Sequence, residues 1–315
     1  FLTMRPLLEN TMKIHQYGLK PLDFQSTSLS SAHQETKALP PLITRRGFLV
    51  SSLTTGFALA STPLMAQAIK TNTRGLVAGE VSVPVVGGHI PAYRAMPAKP
   101  GKHPTIVVIQ EIFGVHEHIK DICRRLAKVG YYAIAPELFA RQGDVSKMTE
   151  IGDILAQVVA KVPDAQVFAD IDASIAYAKA SGHADTKKLG TIGFCYGGRM
   201  VWLYNQYNPR VKAGVAYYGL LSGLRSEIKP QDPIDIAAKL TVPTLGLYAG
   251  SDSFIPDTLV DQMRAELQKS GSGSDIVVFP GLNHGFNADY RPTYDKAAAD
   301  YAWKLASDWF KERGV

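Results

Sequence analysis

The stretch that decides the fold is Thr191-Ile192-Gly193-Phe194-Cys195-Tyr196-Gly197-Gly198. Apolar residues lead into the pattern Gly-x-Cys-x-Gly, and helical spacing begins near Tyr196. A turn this tight leaves no room for side chains two residues before or after its centre, so glycines suit Gly193 and Gly197. The central Cys195 would stand at a helix N-terminus, whose partial positive charge stabilises a thiolate. The alternative is a buried structural cysteine in a glycine-rich turn.

Strand-like and helix-like segments alternate on both sides of this turn. A hairpin around Gly87-Gly88 is predicted from Val81–Val86 and Ile90–Met96. The short, apolar runs typical of buried strands are Thr105–Ile109, Tyr131–Ala135, Leu189–Phe194, Ala213–Tyr218, Thr244–Tyr248 and Asp275–Phe279. Helical spacing occurs at Ile119–Val129, Ala165–Ala180, Pro256–Lys269 and Tyr294–Lys311. This alternation predicts an α/β fold with a mostly parallel central sheet and helices on both faces.

In such a sheet, ligands bind beyond the carboxyl ends of the strands, and two distinctive side chains follow predicted strands. Asp252 precedes the helix Pro256–Lys269, and His284 follows the last predicted strand in a glycine-flanked loop. The order Cys195, Asp252, His284 is the nucleophile–acid–histidine order of α/β-hydrolases. We therefore predict that His284 accepts the thiol proton while Asp252 orients the imidazole. Taken singly, Asp252 could be a helix N-cap, and His284 a surface-loop histidine.

The loop after the strand Thr105–Ile109 predicts the remaining parts of such a site. The backbone N–H of Ile112 is expected to pair with that of Tyr196 as an oxyanion hole. Glu111 is expected near the sulfur of Cys195. The alternative for Glu111 is a solvated loop carboxylate.

Four motifs together resemble those of the dienelactone hydrolase family: Gln110-Glu111-Ile112-Phe113-Gly114, Gly193-Phe194-Cys195-Tyr196-Gly197-Gly198, Ala216-Tyr217-Tyr218-Gly219 and Asn283-His284-Gly285-Phe286. The resemblance extends over about residues 75–313. It implies an α/β-hydrolase domain with a triad of Cys195, His284 and Asp252. It also implies that Glu111 contacts the resting thiol and is displaced by substrate, which helps to generate the thiolate. The implied reaction is attack on an ester or lactone carbonyl, a thioester intermediate and hydrolysis, with no cofactor.

The resemblance further implies arginines that bind a substrate carboxylate. The segment Leu138-Phe139-Ala140-Arg141-Gln142 resembles the one that carries the first, so Arg141 is predicted to bind substrate in a bidentate manner. The alternative is an ordinary surface arginine. The second family arginine follows the histidine by four residues, where this chain has Ala288, and Arg291 is the nearest replacement. This departure leaves open a different or uncharged ester as substrate.

The first 68 residues differ from the rest of the chain. Residues 1–43 are polar without a sustained period, and they are followed by Thr44-Arg45-Arg46-Gly47-Phe48-Leu49. An almost uncharged stretch then ends in Ala66-Gln67-Ala68. These features, in this order, predict a twin-arginine secretory signal and therefore export, to the periplasm in a bacterium. The alternative is a short amphipathic helix, and residues 69–315 are in either case predicted to form one hydrolase domain.

Composition excludes several other classes of protein. The chain has 315 residues and a net charge of +6, but residues 69–315 have 28 basic and 25 acidic residues, a net charge of +3. Because no basic block remains, nucleic-acid binding is not expected. No apolar run reaches the roughly 20 residues of a membrane-spanning helix, so no membrane anchor is expected. The oligomeric state stays open, and a monomer is compatible with the composition.

The number of cysteines and the spacing of one histidine pair argue against disulfide and metal sites. Two cysteines are too few for a disulfide scaffold or a four-cysteine zinc site. His116-Glu117-His118 lacks the spacing of known zinc motifs, so no metal is expected. Cys123 falls on the apolar side of a predicted helix and is expected to be an inert core thiol.

We therefore predict a hydrolase of small esters or lactones. Two alternatives stay open. One is a broader carboxylesterase or short-peptide hydrolase with the same triad. The other is a non-catalytic, ligand-binding relative that keeps the fold.

Overall fold

Residues 68–315 are described by the computed structural model, and their strands form one sheet. The eight strands are β1 (Leu76–Val85), β2 (Gly88–Pro97), β3 (His103–Ile109), β4 (Tyr132–Pro136), β5 (Ala184–Phe194), β6 (Ala213–Tyr217), β7 (Thr244–Ala249) and β8 (Asp275–Phe279). Their order across the sheet is β1-β2-β4-β3-β5-β6-β7-β8. The pairs β1–β2 and β2–β4 are antiparallel, and every other pair is parallel. The predicted mostly parallel sheet is confirmed.

Helices connect the parallel strands, as the right-handed crossover of such sheets requires. The five long helices of the described residues are α1 (Glu117–Lys128), α2 (Asp164–Ala180), α3 (Tyr196–Tyr207), α4 (Asp257–Ser270) and α5 (Lys296–Glu312). Shorter helical segments are Val145–Lys147, Ile151–Asp153, Ile154–Val158, Val159–Lys161, Pro233–Ile236 and Ala237–Lys239. Each predicted long helix begins and ends within three residues of its observed position.

The central strands are buried along their length, which explains why they read as continuous apolar runs. Every residue of β4, β6 and β7 is buried. β5 is longer than predicted, because it begins at Ala184 with a polar, partly exposed half that precedes the apolar run. That half pairs with the start of β3, where the register shifts between Pro104 and Thr105.

The carboxyl ends of the parallel strands lie along one edge of the sheet. The loop that begins at Gln110 follows β3, and Cys195 follows β5. Asp252 and His284 lie in the loops after β7 and β8. The fold therefore brings four segments, distant in sequence, to the same edge.

Among residues 68–315, no helix is both long enough and apolar enough to cross a lipid bilayer. The predicted twin-arginine signal, with Arg45-Arg46 and the apolar stretch after this pair, lies outside the described residues.

Candidate active site

Cys195 occupies a strained turn between β5 and α3. Its φ is 54° and its ψ is −111°, a region that residues other than glycine rarely adopt. Two backbone hydrogen bonds hold it there: its N–H donates to the carbonyl of Tyr217 at 3.0 Å, and its carbonyl accepts from the N–H of Arg199 at 3.2 Å. The turn thus holds the candidate nucleophile, Cys195, directly before the first residue of α3.

The flanking glycines allow the backbone on both sides of Cys195 to approach other segments closely. A Cβ atom on Gly193 would lie 2.3 Å from the carbonyl oxygen of Gly197. A Cβ on Gly197 would lie 2.1 Å from the carbonyl oxygen of Ile109 at the end of β3. Because both obstacles are backbone atoms, no side-chain rearrangement removes the overlap. This confirms the steric role that the pattern Gly-x-Cys-x-Gly predicts.

Gly197→Ala is therefore expected to destabilise the fold by about 3 kcal/mol or more, because α3 must move away from β3. Urea denaturation followed by tryptophan fluorescence measures the change. Gly79→Ala in β1 is the matched control, since a Cβ there meets nothing within 4 Å. Equal midpoints for both variants would contradict the close packing of the turn.

His284 contacts the acidic residue of the predicted triad. Its Nδ1 lies 2.7 Å from Oδ2 of Asp252, and the other carboxylate oxygen, Oδ1, accepts the N–H of Phe254 at 2.9 Å. Cys195, Asp252 and His284 are all buried. The structure thus pairs Asp252 with His284, as the chain order predicts, and the complete triad with Cys195 stays a prediction.

Electrostatics favour a protonated His284. Burial by itself lowers the pKa of this imidazole, but the negative charge of Asp252 outweighs it, and Cys195 adds to the effect by charge and by hydrogen bonding. The pKa of His284 is consequently raised to about 10. A ring that is protonated at neutral pH stabilises a neighbouring thiolate.

Aromatic rings fix the plane of the histidine. The rings of Tyr218 and Phe254 meet that of His284 edge to face, with centroids 4.9 and 5.2 Å away. Tyr218 itself has a positive φ of 35°, the second such value among the non-glycine residues described. The sequence indicates Tyr218 only as part of the motif Ala216-Tyr217-Tyr218-Gly219. The residue types next to it give no sign of a strained backbone.

Glu111 is fully buried in a network of hydrogen bonds, not solvated in a loop. The hydroxyl of Tyr290 donates to its Oε2, and Nε2 of His116 lies 3.2 Å from the same oxygen. The guanidinium of Arg291 donates to Oε1 at 3.4 Å. Burial would raise the pKa of Glu111, but the charge of Arg291 and the hydrogen bond with His116 outweigh it and hold the pKa well below its usual range.

Arg291 is the buried arginine of the site. Its Nε donates to the hydroxyl of Tyr290 at 3.2 Å, and its guanidinium lies 5.2 Å from the ring centre of Phe113. Burial lowers the pKa of Arg291, but the charges of Tyr290, Glu111 and Cys195 outweigh it and raise that pKa above its ordinary value. Sequence reasoning named Arg291 only as a replacement for a missing arginine at Ala288, and it missed Tyr290 and His116 as partners of Glu111.

Arg141 lies elsewhere in this conformation. Its guanidinium forms an ion pair with Asp170 of α2. It lines a surface hollow together with Val85, Gln166 and other residues, and none of the predicted triad residues lines that hollow. The role of Arg141 in substrate binding stays a prediction, as does its bidentate geometry.

The predicted oxyanion hole also stays a prediction. Tyr196 is the first residue of α3, a position at which the backbone N–H has no acceptor within the helix. Ile112 is buried in the loop after β3, next to Glu111. Both N–H groups therefore belong to segments that border Cys195.

The remaining distinctive residues have structural partners. His116 contacts Glu111, whereas His118 contacts Asp289 at 3.0 Å, so the two histidines serve different carboxylates. Cys123 is fully buried, and burial raises the pKa of its thiol well above the usual range, as expected for a core cysteine.

A cavity of about 470 Å³ opens beside this network, at the carboxyl ends of β3 and β4. Phe113, Val115 and His116 form one side of it. Val145 and Met148, from the short helical segment after β4 and the residue beyond it, form another. Both polar and apolar residues line the cavity. One of them, His116, also contacts Glu111.

Comparisons with known proteins agree with this architecture. The model of the dienelactone hydrolase family matches residues 90–314. A Methylorubrum extorquens protein named "Putative carboxymethylenebutenolidase" is 56% identical over 274 residues, which cover 87% of this chain and 94% of that protein. An Escherichia coli K12 protein of the same name is 48% identical over 82% of this chain and 96% of its own length. The crystal structure of a "Putative Dienelactone Hydrolase" from Klebsiella pneumoniae, 47% identical, superposes with a TM-score of 0.73 and covers 75% of this chain and 99% of that one.

Proposed function

The chain belongs to the dienelactone hydrolase family and is a carboxylic ester hydrolase, and we propose that it opens small esters or lactones by nucleophilic catalysis from Cys195. The observation that carries this proposal is His284, which is held by Asp252 at 2.7 Å and faces the cysteine. A cysteine at a helix N-terminus beside a charged imidazole is the arrangement that nucleophilic catalysis by a thiolate needs.

In the proposed reaction, the thiolate of Cys195 attacks the carbonyl carbon and forms a C–S bond. The N–H groups of Ile112 and Tyr196 stabilise the negative oxygen of the tetrahedral intermediate. When the C–O bond breaks, the leaving alkoxide or enolate takes the proton of His284. Water then attacks the thioester, gives a proton to His284 and releases the acid, and the thiolate is restored. No cofactor takes part in this sequence.

Glu111 is proposed to respond to the substrate. At rest it is held by Arg291 and Tyr290, which neutralise its buried charge. A substrate carboxylate that binds Arg291 would compete with Glu111 for the same guanidinium. Glu111, displaced toward the sulfur, then accepts any proton that the thiol of Cys195 still carries, so that the thiolate is fully formed when a substrate is present.

The substrate itself is proposed to be small and to extend into the cavity beside Phe113 and His116. Its apolar body would contact Val145 and Met148. Arg141 remains a second candidate ligand for a carboxylate, provided that the loop that carries it releases Asp170.

Arg291→Ala is expected to raise KM for anionic esters and lactones about 10- to 100-fold relative to neutral ones, because a charge-assisted hydrogen bond is worth about 1.5–3 kcal/mol. A panel of paired anionic and neutral substrates, measured for wild type and variant, tests this. Arg141→Ala is measured beside it. If only Arg141→Ala removes the preference for anionic substrates, Arg141 is the carboxylate ligand, and the role given to Arg291 is wrong.

The same panel separates the remaining functions. Faster turnover of neutral esters or short peptides than of any lactone would favour a broader carboxylesterase or peptide hydrolase. Loss of the family arginine at Ala288 is the feature that favours this second candidate. A chain that turns over none of these substrates, yet binds them, would be a non-catalytic relative.

Export by the twin-arginine route is proposed from Arg45-Arg46 and the small residues at Ala66-Gln67-Ala68. Because this route carries folded proteins, it would let the reactive thiol fold before it meets an oxidising compartment. Expression in a bacterium, followed by N-terminal sequencing of the exported protein, tests this proposal, with a start at Ile69 expected.

A further inference from the structure

The first described residues after the proposed cleavage site are attached to the body of the enzyme by two carboxylates. The backbone N–H of Ile69 donates to Oδ2 of Asp289 at 3.2 Å. Two residues later, the N–H of Thr71 donates to Oδ1 of Asp121 in α1 at 2.5 Å. Ile69 is the residue that would begin the chain if the leader were cut after Ala68.

Asp289 has a buried carboxylate that contacts both the segment at Ile69 and α1. Its side chain is 2% exposed. Besides Ile69 it contacts Nδ1 of His118 and the guanidinium of Arg125, each at 3.0 Å, and both residues belong to α1. Arg125 also donates to Asp121 at 2.6 Å, so the two anchoring carboxylates share one arginine. A further positive charge at Asp289 would therefore enter an existing charged cluster.

Asp289 also belongs to the turn that carries the partners of Glu111. Within this turn the N–H of Ala288 donates to Gly285 at 2.8 Å, and that of Arg291 donates to Ala288 at 2.9 Å. The next two residues, Tyr290 and Arg291, both hydrogen-bond Glu111. Asp289 therefore lies directly before the two side chains that hold Glu111.

We propose that cleavage of the Ala68–Ile69 bond places the new α-ammonium of Ile69 on Asp289, and that this ion pair fixes the Tyr290–Arg291 turn around Glu111. In the cleavage, a leader peptidase adds water across the peptide bond, which leaves a carboxylate on Ala68 and an ammonium on Ile69. Asp289 is then a positioning residue that joins maturation to the active site. The proposal rests on the proposed leader but not on the identity of the substrate.

Cleavage would strengthen the contact between Ile69 and Asp289 because it gives the Ile69 nitrogen a positive charge. Before cleavage, the Ile69 nitrogen is a neutral amide with one proton to donate. After cleavage, it is an ammonium with three, and charged hydrogen bonds are roughly twice as strong as neutral ones. Ile69 is exposed, but the side chain of Asp289 is nearly excluded from water, so solvent screens the new pair less than it would screen a pair with both partners exposed.

The test compares unprocessed full chain from the cytosol with the exported product. N-terminal sequencing must give Ile69, and any other first residue overturns the proposal. Hydrogen exchange of residues 285–294 is expected to slow about tenfold on processing, whereas exchange in α4, which supplies none of the contacts of Asp289 described above, is expected to stay the same. Equal exchange of the turn in both forms would also overturn it. Neither readout depends on ester hydrolysis, so failure here is distinct from failure of the proposed function.

Asp289→Asn is expected to abolish this difference between the two forms, because the ammonium loses its charged partner. Asp261→Asn is the matched control, since Asp261 is an exposed residue of α4 that pairs with Arg264 in the same helix. Processed wild type is also expected to have a severalfold lower KM for anionic esters than unprocessed protein, with little change in kcat for neutral ones. If Asp289→Asn keeps the full effect of processing on exchange, the pairing with Asp289 is wrong.

Discussion

Cys195→Ala is expected to lower kcat for an activated ester by about 10,000-fold, because the thioester can no longer form. The residual rate would come from the oxyanion hole and from substrate binding, which this substitution leaves in place. The measurement is the steady-state rate at substrate saturation, with folding checked by circular dichroism. Mass spectrometry of wild type quenched during turnover should in addition show the mass of an acyl group on Cys195.

Cys123→Ala is the matched control for Cys195→Ala, because Cys123 is the other cysteine of the chain and is completely buried. It is expected to keep nearly all activity and to lose only packing. Iodoacetamide should label Cys195 before Cys123, because burial raises the pKa of the Cys123 thiol and closes it to the reagent. A Cys195→Ala enzyme with wild-type turnover would show that the nucleophile lies elsewhere.

The pairing of Asp252 with His284, and the position of Cys195 at the same edge of the sheet, could be predicted from the sequence because ligands of this fold bind at strand ends. Cys195, Asp252 and His284 each follow an apolar run that ends abruptly at a turn, and the runs identify buried parallel strands. Since parallel strands share one direction, their ends meet whatever the length of the chain between them. The side-chain contact between Asp252 and His284 follows from this topology.

The surroundings of Glu111 could not be predicted in the same way. Its partners Tyr290 and Arg291 lie about 180 residues away and occur in a turn without a strand-end signal. The motif that carries Glu111 looks like an ordinary loop, and only the packing of two loops against each other excludes water from it. Arg141 illustrates the opposite case, because its segment resembles the family motif while the side chain pairs with Asp170 of α2. A local motif identifies a segment, but the direction of a long side chain depends on which charge lies nearest.

The network around Glu111 also explains how a fully buried carboxylate can remain charged. An isolated buried charge would be costly, but Arg291 supplies the opposite charge and Tyr290 a hydroxyl donor. Glu111 therefore remains charged at rest. Removal of Arg291 would leave that charge unpaired, which gives Arg291 a structural role as well as a proposed part in binding.

Asp252→Asn is expected to lower kcat/KM by about 1,000- to 10,000-fold while the fold remains intact. In the wild type, the charge of Asp252 raises the pKa of His284 to about 10, so the ring is protonated throughout the neutral range and stabilises the thiolate. An amide has no charge to offer, so burial dominates and the pKa of His284 falls. The proton then returns to the sulfur. The rate of iodoacetamide labelling of Cys195 as a function of pH measures this directly, and the variant should need a more alkaline pH to reach the wild-type rate.

The control is Asp257→Asn, at the start of α4, five residues away and outside the hydrogen bonds of His284. It should leave the pH profile of labelling unchanged. The direction of the shift is decisive, because a purely structural role for Asp252 would lower the labelling rate or the stability without moving the profile along the pH axis. A profile that stays in place in Asp252→Asn, with activity lost, would mean that the carboxylate only orients the ring. A profile that moves to higher pH would mean that its charge sets the protonation of the pair.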